Sequence, residues 1–477
     1  MAWWRDGVLY QIYPRSFFDA DGDGTGDLRG VIGRLDYLAW VGVSGIWLNP
    51  TFPSPDVDWG YDVSDYYGVH PDLGTLADLD ELIAAAGRRG IRVLLDLVPN
   101  HTSDRHPWFR TRPDYYLWSD SVPNTWRSFF TGESAWRYDS SRRAHYLHLF
   151  APEQPDLDWR NPEVHAEFER IIGFWFERGV AGFRIDVAHA LVKDRELRDN
   201  TPYRDGDPEW VRRSGEWYDR SMNQPEVHEI YRRWKQVAAE HRPPRILVGE
   251  TYVHGIDRLA SFYGRGVDEL DLAFNFDFLN APFAAEALRS IVEEVEAKLP
   301  VGAWPVYAMS NHDHSRAASR WAGGDERRMR AALFLLLTLR GTPFLYQGDE
   351  IALADGVVPP DRVRDLARPP RDPCRTPLPW TRSGEEWQTP WLPLLDTSRN
   401  VSEQRADPSS TLTFVRDLVE RRRAFVREPY RSLESREGVW AFTRGRTTCI
   451  ANLSDKAGEH GGLRLAPWET AIVLTSS

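Results

Sequence analysis

The sequence predicts an α/β protein whose main domain is a closed (β/α)8 barrel. Short β-branched and apolar runs alternate with amphipathic helical segments along most of the 477 residues. Eight such strands, each followed by helical sequence, fit a closed barrel better than an open doubly wound sheet. No Gly-x-Gly-x-x-Gly motif follows the first strand, which argues further against a dinucleotide-binding sheet.

The predicted strands are short, and the predicted helices between them carry one apolar face. The strands lie at residues 8–17, 45–49, 91–98, 181–186, 245–250, 269–276, 304–310 and 341–346. The helices lie at residues 28–40, 76–89, 163–178, 226–240, 282–298, 325–339 and 411–425. The third strand is mostly apolar, as expected for a strand buried on both faces of a parallel sheet. This order of elements predicts the TIM-barrel topology.

Two segments interrupt the alternation of strands and helices. Residues 100–158 are polar and aromatic with no clear helix, and a loop of that length usually has a function or a small fold of its own. Residues 439–477 carry short alternating runs typical of antiparallel strands. The sequence therefore predicts a barrel at 1–99 and 159–429, an inserted loop domain at 100–158, and a small C-terminal β domain at 430–477.

Charge and cysteine content exclude several classes of protein. Lysine and arginine number 59 against 71 acidic residues, a formal net charge of -12, so a nucleic-acid partner is not expected. The two cysteines, Cys374 and Cys449, cannot form a disulfide framework and are predicted to be free thiols. No apolar stretch approaches the roughly 20 residues that span a bilayer, and no leader is recognisable. We expect a cytoplasmic protein without a membrane contact.

Charged and histidine side chains follow four of the predicted strands where the strands end. They are Asp96, Asn100 and His101 at the third strand, Arg184 and Asp186 at the fourth, Glu250 at the fifth, and His312 and Asp313 at the seventh. A single acidic strand end is ordinary, because turns favour aspartate. In a (β/α)8 barrel, however, all of these ends meet at the face that carries the active site.

Two of these carboxylates suit the hydrolysis of a glycosidic bond with retention of configuration. That reaction needs a nucleophile and an acid/base about 5 Å apart, and neighbouring strands lie about 4.8 Å apart. Asp186 and Glu250 end adjacent strands, which gives this spacing. Arg184 lies on the same strand face as Asp186 and is expected to lower its pKa. Crowding by other carboxylates is expected to raise the pKa of Glu250, as a proton donor requires.

Four segments together resemble the α-amylase superfamily, in its α-glucosidase and oligo-1,6-glucosidase branch. The segments are Asp96-Leu-Val-Pro-Asn-His101, Gly182-Phe-Arg-Ile-Asp186, Gly249-Glu250 and Asn311-His-Asp313, in that order. Residues 154–158, Gln-Pro-Asp-Leu-Asp, are similar to the segment that marks the oligosaccharide-cleaving branch. The resemblance extends over nearly the whole chain.

The resemblance implies a role for each matching position. Asp186 would be the nucleophile, Glu250 the general acid/base, and Asp313 the stabiliser of the transition state. His101, His312 and Arg184 would line the subsite for the terminal glucose, with Tyr61 stacking on the sugar ring, and Arg316 is a further candidate contact. Asp58 and Arg375 would close the pocket over that glucose, with Arg371 nearby as the alternative arginine. A closed pocket admits only a chain end, so the expected activity is that of an exo-acting, retaining α-glucosidase on short α-glucosides.

An acidic loop follows the first strand and predicts a metal site. In Asp19-Ala-Asp-Gly-Asp-Gly-Thr-Gly-Asp27 an oxygen ligand stands at every second position, and the glycines permit tight turns. Asp19, Asp21, Asp23, the Thr25 carbonyl and Asp27 would suit a structural calcium ion. The twelfth position is Gly30 rather than the glutamate of an EF-hand. The resembled family carries calcium or magnesium here, and a solvated acidic turn is the alternative.

Several features leave the substrate open. His189 and Ala190 stand where starch-acting amylases often have a lysine–histidine pair, which favours short substrates. In related enzymes valine directly after the nucleophile, here Val187, tends to accompany α-1,6 activity. A transglucosylase, an enzyme for sucrose or trehalose, and a non-catalytic sugar-binding protein on the same fold remain as alternatives. The sequence gives no prediction of oligomeric state.

Overall fold

A computed structural model describes residues 2–474, apart from the side chain of Trp210. Its main sheet has eight parallel strands, as predicted. They are Leu9–Ile12, Gly45–Leu48, Arg92–Leu97, Gly182–Ile185, Ile246–Gly249, Leu272–Ala273, Val306–Ala308 and Thr342–Tyr346, numbered first to eighth below. A ladder between the eighth and first strands turns the sheet back on itself. Within the described residues, the sixth and seventh strands share no ladder.

Amphipathic helices cover the outside of this barrel. The longer ones are Leu76–Arg88, Pro162–Glu177, Val227–Glu240, Ala285–Lys298, Glu326–Thr338 and Thr411–Arg422. The predicted single helix at 28–40 is instead two helices, Leu28–Gly33 and Leu35–Val41. The break falls at Arg34, whose φ of -110° and ψ of 7° lie outside the helical region.

One apolar cluster fills the inside of the barrel, and every strand but the fourth contributes side chains to it. The cluster includes Leu9, Trp47, Leu94, Ile246, Val248, Leu272, Val306, Ala308 and Phe344. Inside a closed barrel a strand residue is either in this core or against the helices, so strand burial is nearly complete. The packed interior leaves only the strand ends free to carry chemistry.

The segment after the third strand folds over the carboxyl end of the barrel. It contains the helix Pro107–Thr111 and a three-stranded antiparallel sheet of Trp118–Ser119, Trp136–Asp139 and Ala144–Leu147. A buried ion pair of 2.7 Å joins Asp156 of this segment to Lys193, which follows the fourth strand. The insertion is thereby fixed beside the strand ends.

The C-terminal residues form a four-stranded antiparallel sheet of Tyr430–Leu433, Val439–Arg444, Thr447–Asn452 and Thr470–Leu474. Arg444 donates to the carbonyl of Thr338 at 2.7 Å and so ties this sheet to a barrel helix. Cys374 and Cys449 are separate buried thiols, as predicted. Among the helices of the described chain, none combines the length and apolar character needed to cross a bilayer.

Candidate active site

The fourth and fifth strands bring Asp186 and Glu250 side by side. Ile185 pairs with Gly249 in the parallel ladder, and each candidate carboxylate follows directly after its strand. A Cβ atom on Gly182 would lie 2.3 Å from the carbonyl oxygen of Ile246, so glycine is needed for this close strand pairing. The adjacency predicted from the sequence is present in the structure.

One buried guanidinium holds three carboxylates together at this point. Arg184 contacts Asp96, Asp186 and Glu250, each at 2.8 Å, and its side chain is 1% exposed. The arrangement makes Asp96 a structural partner of Arg184. It also sets three carboxyl groups against a single guanidinium in a buried region.

The pKa of Asp186 differs from the prediction because Arg184 is shared. Burial raises the pKa of Asp186 well above its usual range, and the attraction of Arg184 does not outweigh that effect. Burial likewise raises the pKa of Asp96 to about 7, again against the charge of Arg184. The predicted lowering of the Asp186 pKa was therefore wrong, and the cluster tends to retain a proton.

The residue after Asp186 fixes the second carboxylate. The backbone N–H of Val187 donates to Oε2 of Glu250 at 2.9 Å. Val187 has a φ of 36°, a left-handed conformation that β-branched residues rarely adopt. Strained backbone of this kind is concentrated at functional sites, and here it turns an amide towards the candidate acid/base.

Asp313 lies opposite this pair and is held by cationic side chains. Its Oδ1 accepts hydrogen bonds from Arg371 at 3.0 Å and from Arg375 at 2.9 Å. Burial opposes ionisation, but the neighbouring His312, Arg371 and Arg375 together lower the pKa of Asp313 well below its usual range. Asp313 therefore stays ionised.

The arginine that pairs with Asp58 is Arg371 and not Arg375. Arg371 forms a 2.7 Å ion pair with Asp58 and a second one with Asp365. Arg375 is fully buried behind Asp313 and donates to the carbonyl of His312 at 2.8 Å. The predicted Asp58–Arg375 pair is corrected because the helical turn Asp372–Arg375 points its last side chain inward.

Aromatic and histidine side chains form the wall between these charged groups. The Tyr61 hydroxyl donates to Asp96 at 2.9 Å, and its ring stacks on His312 with centroids 5.4 Å apart. Gln154 joins His101, at 3.1 Å, to Asp58, at 3.0 Å. Burial lowers the pKa of His101 to about 4, so this imidazole is neutral at pH 7.

A pocket of about 700 Å³ opens above these residues, a volume in the range of small-ligand sites. Six predicted residues line it, namely Asp58, Tyr61, His101, Asp186, Glu250 and Asp313. Arg184, His312 and Arg375 lie behind its wall and act on it through the contacts above. Arg316 does not reach it, because its fully buried guanidinium lies over the Tyr346 ring and donates to the carbonyl of Gln347.

The sequence analysis missed part of the pocket lining. Phe129, Phe130 and Phe150 come from the insertion, Tyr218 from the fourth-strand loop and Tyr252 from the fifth. The aromatic content of residues 100–158 was the available signal, but core aromatics carry the same signal. His314 also lines the pocket, one residue after Asp313.

The acidic loop after the first strand brings three carboxylates together. Oxygens of Asp19, Asp21 and Asp27 lie within 4.8 Å of one another. Asp19 accepts the N–H groups of Gly22 and Gly24 at 2.7 and 2.8 Å. Burial and the charges of Asp21 and Asp19 raise the pKa of Asp27. Asp23 lies outside the group and accepts the Thr25 N–H instead, at 2.7 Å.

The barrel and its charged strand ends together define a glycoside hydrolase. The chain belongs to the alpha-amylase family, because the model of the alpha amylase catalytic domain matches residues 11–428. It is 39% identical to a probable alpha-glucosidase of Rhizobium meliloti, over 95% of this chain and 90% of the relative. It is 34% identical to the oligo-1,6-glucosidase of Parageobacillus thermoglucosidasius, over 95% and 91%. It also resembles the solved alpha-glucosyl transfer enzyme XgtA, with a TM-score of 0.92 and 33% identity over 99% of both chains.

Proposed function

We propose that this protein is an exo-acting, retaining α-glucosidase that releases glucose from the non-reducing end of short α-glucosides. The observation that carries the proposal is the pairing of Asp186 and Glu250 through Arg184 at the bottom of the pocket. The curated relatives carry the names of glucosidases, which supports this choice among the activities of the family.

The proposed reaction is a double displacement. Asp186 attacks the anomeric carbon and forms a covalent glucosyl-enzyme, while Glu250 gives a proton to the leaving oxygen. Glu250 then takes a proton from water, which attacks the same carbon and releases glucose.

The contacts of Asp58 and Asp313 support exo-action. Both carboxylates are held by Arg371, and Asp58 is further fixed by Gln154. Carboxylate oxygens accept hydrogen bonds from sugar hydroxyls, so this end of the pocket suits the hydroxyls of a terminal glucose.

The linkage preference and the acceptor define the alternatives. Val187 lines the pocket beside Asp186, which keeps an oligo-1,6-glucosidase in consideration. Transfer of glucose to a second sugar needs the same residues, and similarity to a glucosyl transfer enzyme supports this alternative. An enzyme for sucrose or trehalose is a further alternative, and a sugar-binding protein without activity is the remote one.

The test is glucose release from maltose, isomaltose, sucrose and trehalose by the wild type and by Asp186→Asn. Loss of the nucleophile is expected to lower kcat by several orders of magnitude, as for comparable deletions of a catalytic group. The faster of maltose and isomaltose identifies the linkage, and oligosaccharide products at high substrate concentration identify transfer. Full activity of Asp186→Asn would refute the assignment, and an inactive wild type would favour the sugar-binding alternative.

A structural calcium ion is part of the proposal. Asp19, Asp21 and Asp27 present hard oxygen ligands, and the described residues include no lysine or arginine in an ion pair with them. This donor set fits calcium, with magnesium as the alternative. None of the three lines the pocket, so the ion would stabilise the loop and take no part in the chemistry.

We further propose that the protein acts in the cytoplasm on short, imported or internally made glucosides. Two free buried thiols are consistent with a reducing compartment.

A further inference from the structure

Arginine side chains cluster at the mouth of the pocket, although the chain as a whole is acidic. The mouth consists of Arg213, Arg258 and Arg368, which line the same pocket as the buried candidate carboxylates. The Arg213 side chain is 77% exposed, and Arg258 and Arg368 are also exposed. The whole chain has a formal net charge of -12, so this local excess stands out against an acidic protein.

The acidic partners available to these arginines do not neutralise them. Glu209 binds Arg213 at 3.3 Å but also binds Arg212 at 2.5 Å, so one carboxylate faces two guanidinium groups. Arg258 lies over the Trp217 ring, 5.6 Å from its centroid. Within the described residues, neither Arg258 nor Arg368 has a carboxylate at ion-pair distance. The mouth therefore presents guanidinium groups that are available to a ligand.

The carboxylates that line the pocket do not neutralise the arginines at its mouth. The lining contains four of them, Asp58, Asp186, Glu250 and Asp313. Each belongs to the buried floor and already contacts Arg184, Arg371 or Arg375. The negative charge of the lining is thus confined to the floor and paired there, whereas at the mouth Arg213 shares Glu209 with Arg212.

The polar groups of the mouth suit an anion better than a neutral sugar. A sugar hydroxyl both donates and accepts, whereas a guanidinium offers donors only. The neutral side chains beside the arginines are already engaged, because Ser214 donates to the Glu216 carbonyl and Asn223 to the Tyr218 carbonyl. Arginine recognises carboxylate and phosphate groups through paired N–H donors.

We propose that the leaving-group end of this pocket recognises an anionic substituent, so that preferred substrates are α-glucosides whose leaving group carries a carboxylate or a phosphate. The inference rests on the proposed function, because the terminal glucose must occupy the floor for the leaving group to face the mouth. Phe129, Phe150, Tyr218 and Tyr252 line the same pocket and provide apolar surface for a ring that bears the charge.

The experiment compares two near-isosteric substrates, 4-carboxyphenyl and 4-carbamoylphenyl α-glucoside, which differ in one charge. The wild type should show the higher kcat/KM for the carboxylate. Arg258→Gln and Arg368→Gln should each reduce the ratio of the two values by about two- to fivefold, the size expected for an exposed ion pair. Added salt should reduce the wild-type ratio as well, because exposed charges are screened.

Arg431→Gln is the matched control, since it removes the same charge from an exposed residue of the C-terminal sheet. Its substrate ratio should equal that of the wild type. Three outcomes would overturn the proposal. The ratio of the two kcat/KM values could be lower in the wild type than in both mouth variants, it could be the same in all variants, or it could change equally in Arg431→Gln. A phosphate source is distinguished from a carboxylate source by repeating the comparison with trehalose 6-phosphate and trehalose.

Binding separates a failure of this inference from a failure of the proposed function. The Asp186→Asn variant, which should not turn the substrates over, gives a dissociation constant for each glucoside by calorimetry. Tighter binding of the carboxylate, lost in combination with Arg258→Gln or Arg368→Gln, supports the anionic site even if the wild type is inactive. Equal affinity for the two compounds refutes the anionic site, even if maltose is hydrolysed rapidly.

Discussion

The pocket floor and the acidic loop each gather three carboxylates, but they balance the charge in different ways. On the floor, Arg184 contacts Asp96, Asp186 and Glu250 with equal distances of 2.8 Å. In the loop, the partners of Asp19 and Asp27 among the described residues are backbone N–H groups.

The difference follows from the structural elements that carry the two sets of carboxylates. Floor residues stand on rigid parallel strands, so one arginine on the fourth strand can reach acids on the third, fourth and fifth. Within the described residues, no lysine or arginine forms an ion pair with the three carboxylates of the loop. The chain therefore supplies the countercharge on the floor itself, and we expect an ion from solution to supply it in the loop.

The largest expected effect comes from removing the internal countercharge with Arg184→Met. Three buried carboxylates would lose their shared partner, which should destabilise the protein by about 3–5 kcal/mol at pH 7. The activity should fall by roughly 10²–10³-fold or more, because both candidate catalytic carboxylates lose their position. Chemical denaturation and glucose release measure the two effects.

Arg422→Met is the control for that substitution. Arg422 is equally buried but donates to the carbonyls of Leu337 and Leu339. Within the described residues it forms no ion pair with a carboxylate. Its loss should also destabilise the fold but should leave the pH dependence of stability unchanged. If the two variants show the same pH dependence of stability and the same residual activity, Arg184 is not the shared partner of the three carboxylates.

The second prediction concerns Arg371→Gln, which opens the end of the pocket. Asp58 and Asp313 would each lose a charged partner, at a cost of about 2–4 kcal/mol in kcat/KM, with most of the effect in KM. Steady-state kinetics on maltose or isomaltose measure it.

Arg375→Gln provides the comparison, because Arg375 is fully buried whereas the Arg371 side chain is 14% exposed and lines the pocket. Arg375→Gln should reduce stability more than Arg371→Gln and raise KM less. The reverse order would restore the pairing that the sequence analysis favoured.

The third prediction tests the acidic loop. Calcium at 100 times its dissociation constant should add about 2.7 kcal/mol to the free energy of unfolding, and EDTA should remove that gain. Asp21→Asn should abolish most of the calcium effect in a thermal melt. Asp23→Asn should retain it, because Asp23 lies outside the carboxylate group. If both variants respond like the wild type, the loop is a solvated turn.

The smallest effect concerns pH and the buried imidazole of His189. Burial lowers its pKa to about 4, against an ordinary value of 6.5. Between these values the unfolded chain binds the proton and the folded chain does not, so His189 makes stability fall as pH drops from 6.5 towards 4. Relative to His189→Gln, the wild type should lose about 1.4 kcal/mol per pH unit in this window. Urea unfolding at pH 7, 6 and 5 measures the difference, and parallel curves would contradict it.

Much of the fold and of the floor was predictable from local sequence. Strand-length apolar runs at the right intervals predict eight strands, and acidic residues directly after them must lie on one face, because parallel strands end at the same edge. Asp186, Glu250 and Asp313 were identified in this way. The break at Arg34 was not, since apolar spacing on both sides of it continues as though one helix were present.

Electrostatics was less predictable than position. The sequence places Arg184 beside Asp186 and thereby suggests a lowered pKa. The structure shows that the same guanidinium also faces Asp96 and Glu250, so burial prevails and the pKa of Asp186 rises. The sequence shows that Arg184 and Asp186 are close along the chain. Only the packing of the strands shows how many carboxylates contact the same guanidinium.

By itself, the sequence determined the barrel, the strand ends that carry the chemistry and the acidic loop, because each depends on residues close together in the chain. Only the tertiary structure decided that Arg371 meets Asp58, across 313 positions, and that Arg375 and Arg316 are buried away from the pocket. It also decided which insertion aromatics and which loop arginines line the pocket. These groups come from separate loops without periodic sequence, so their meeting depends on how the loops pack over the barrel.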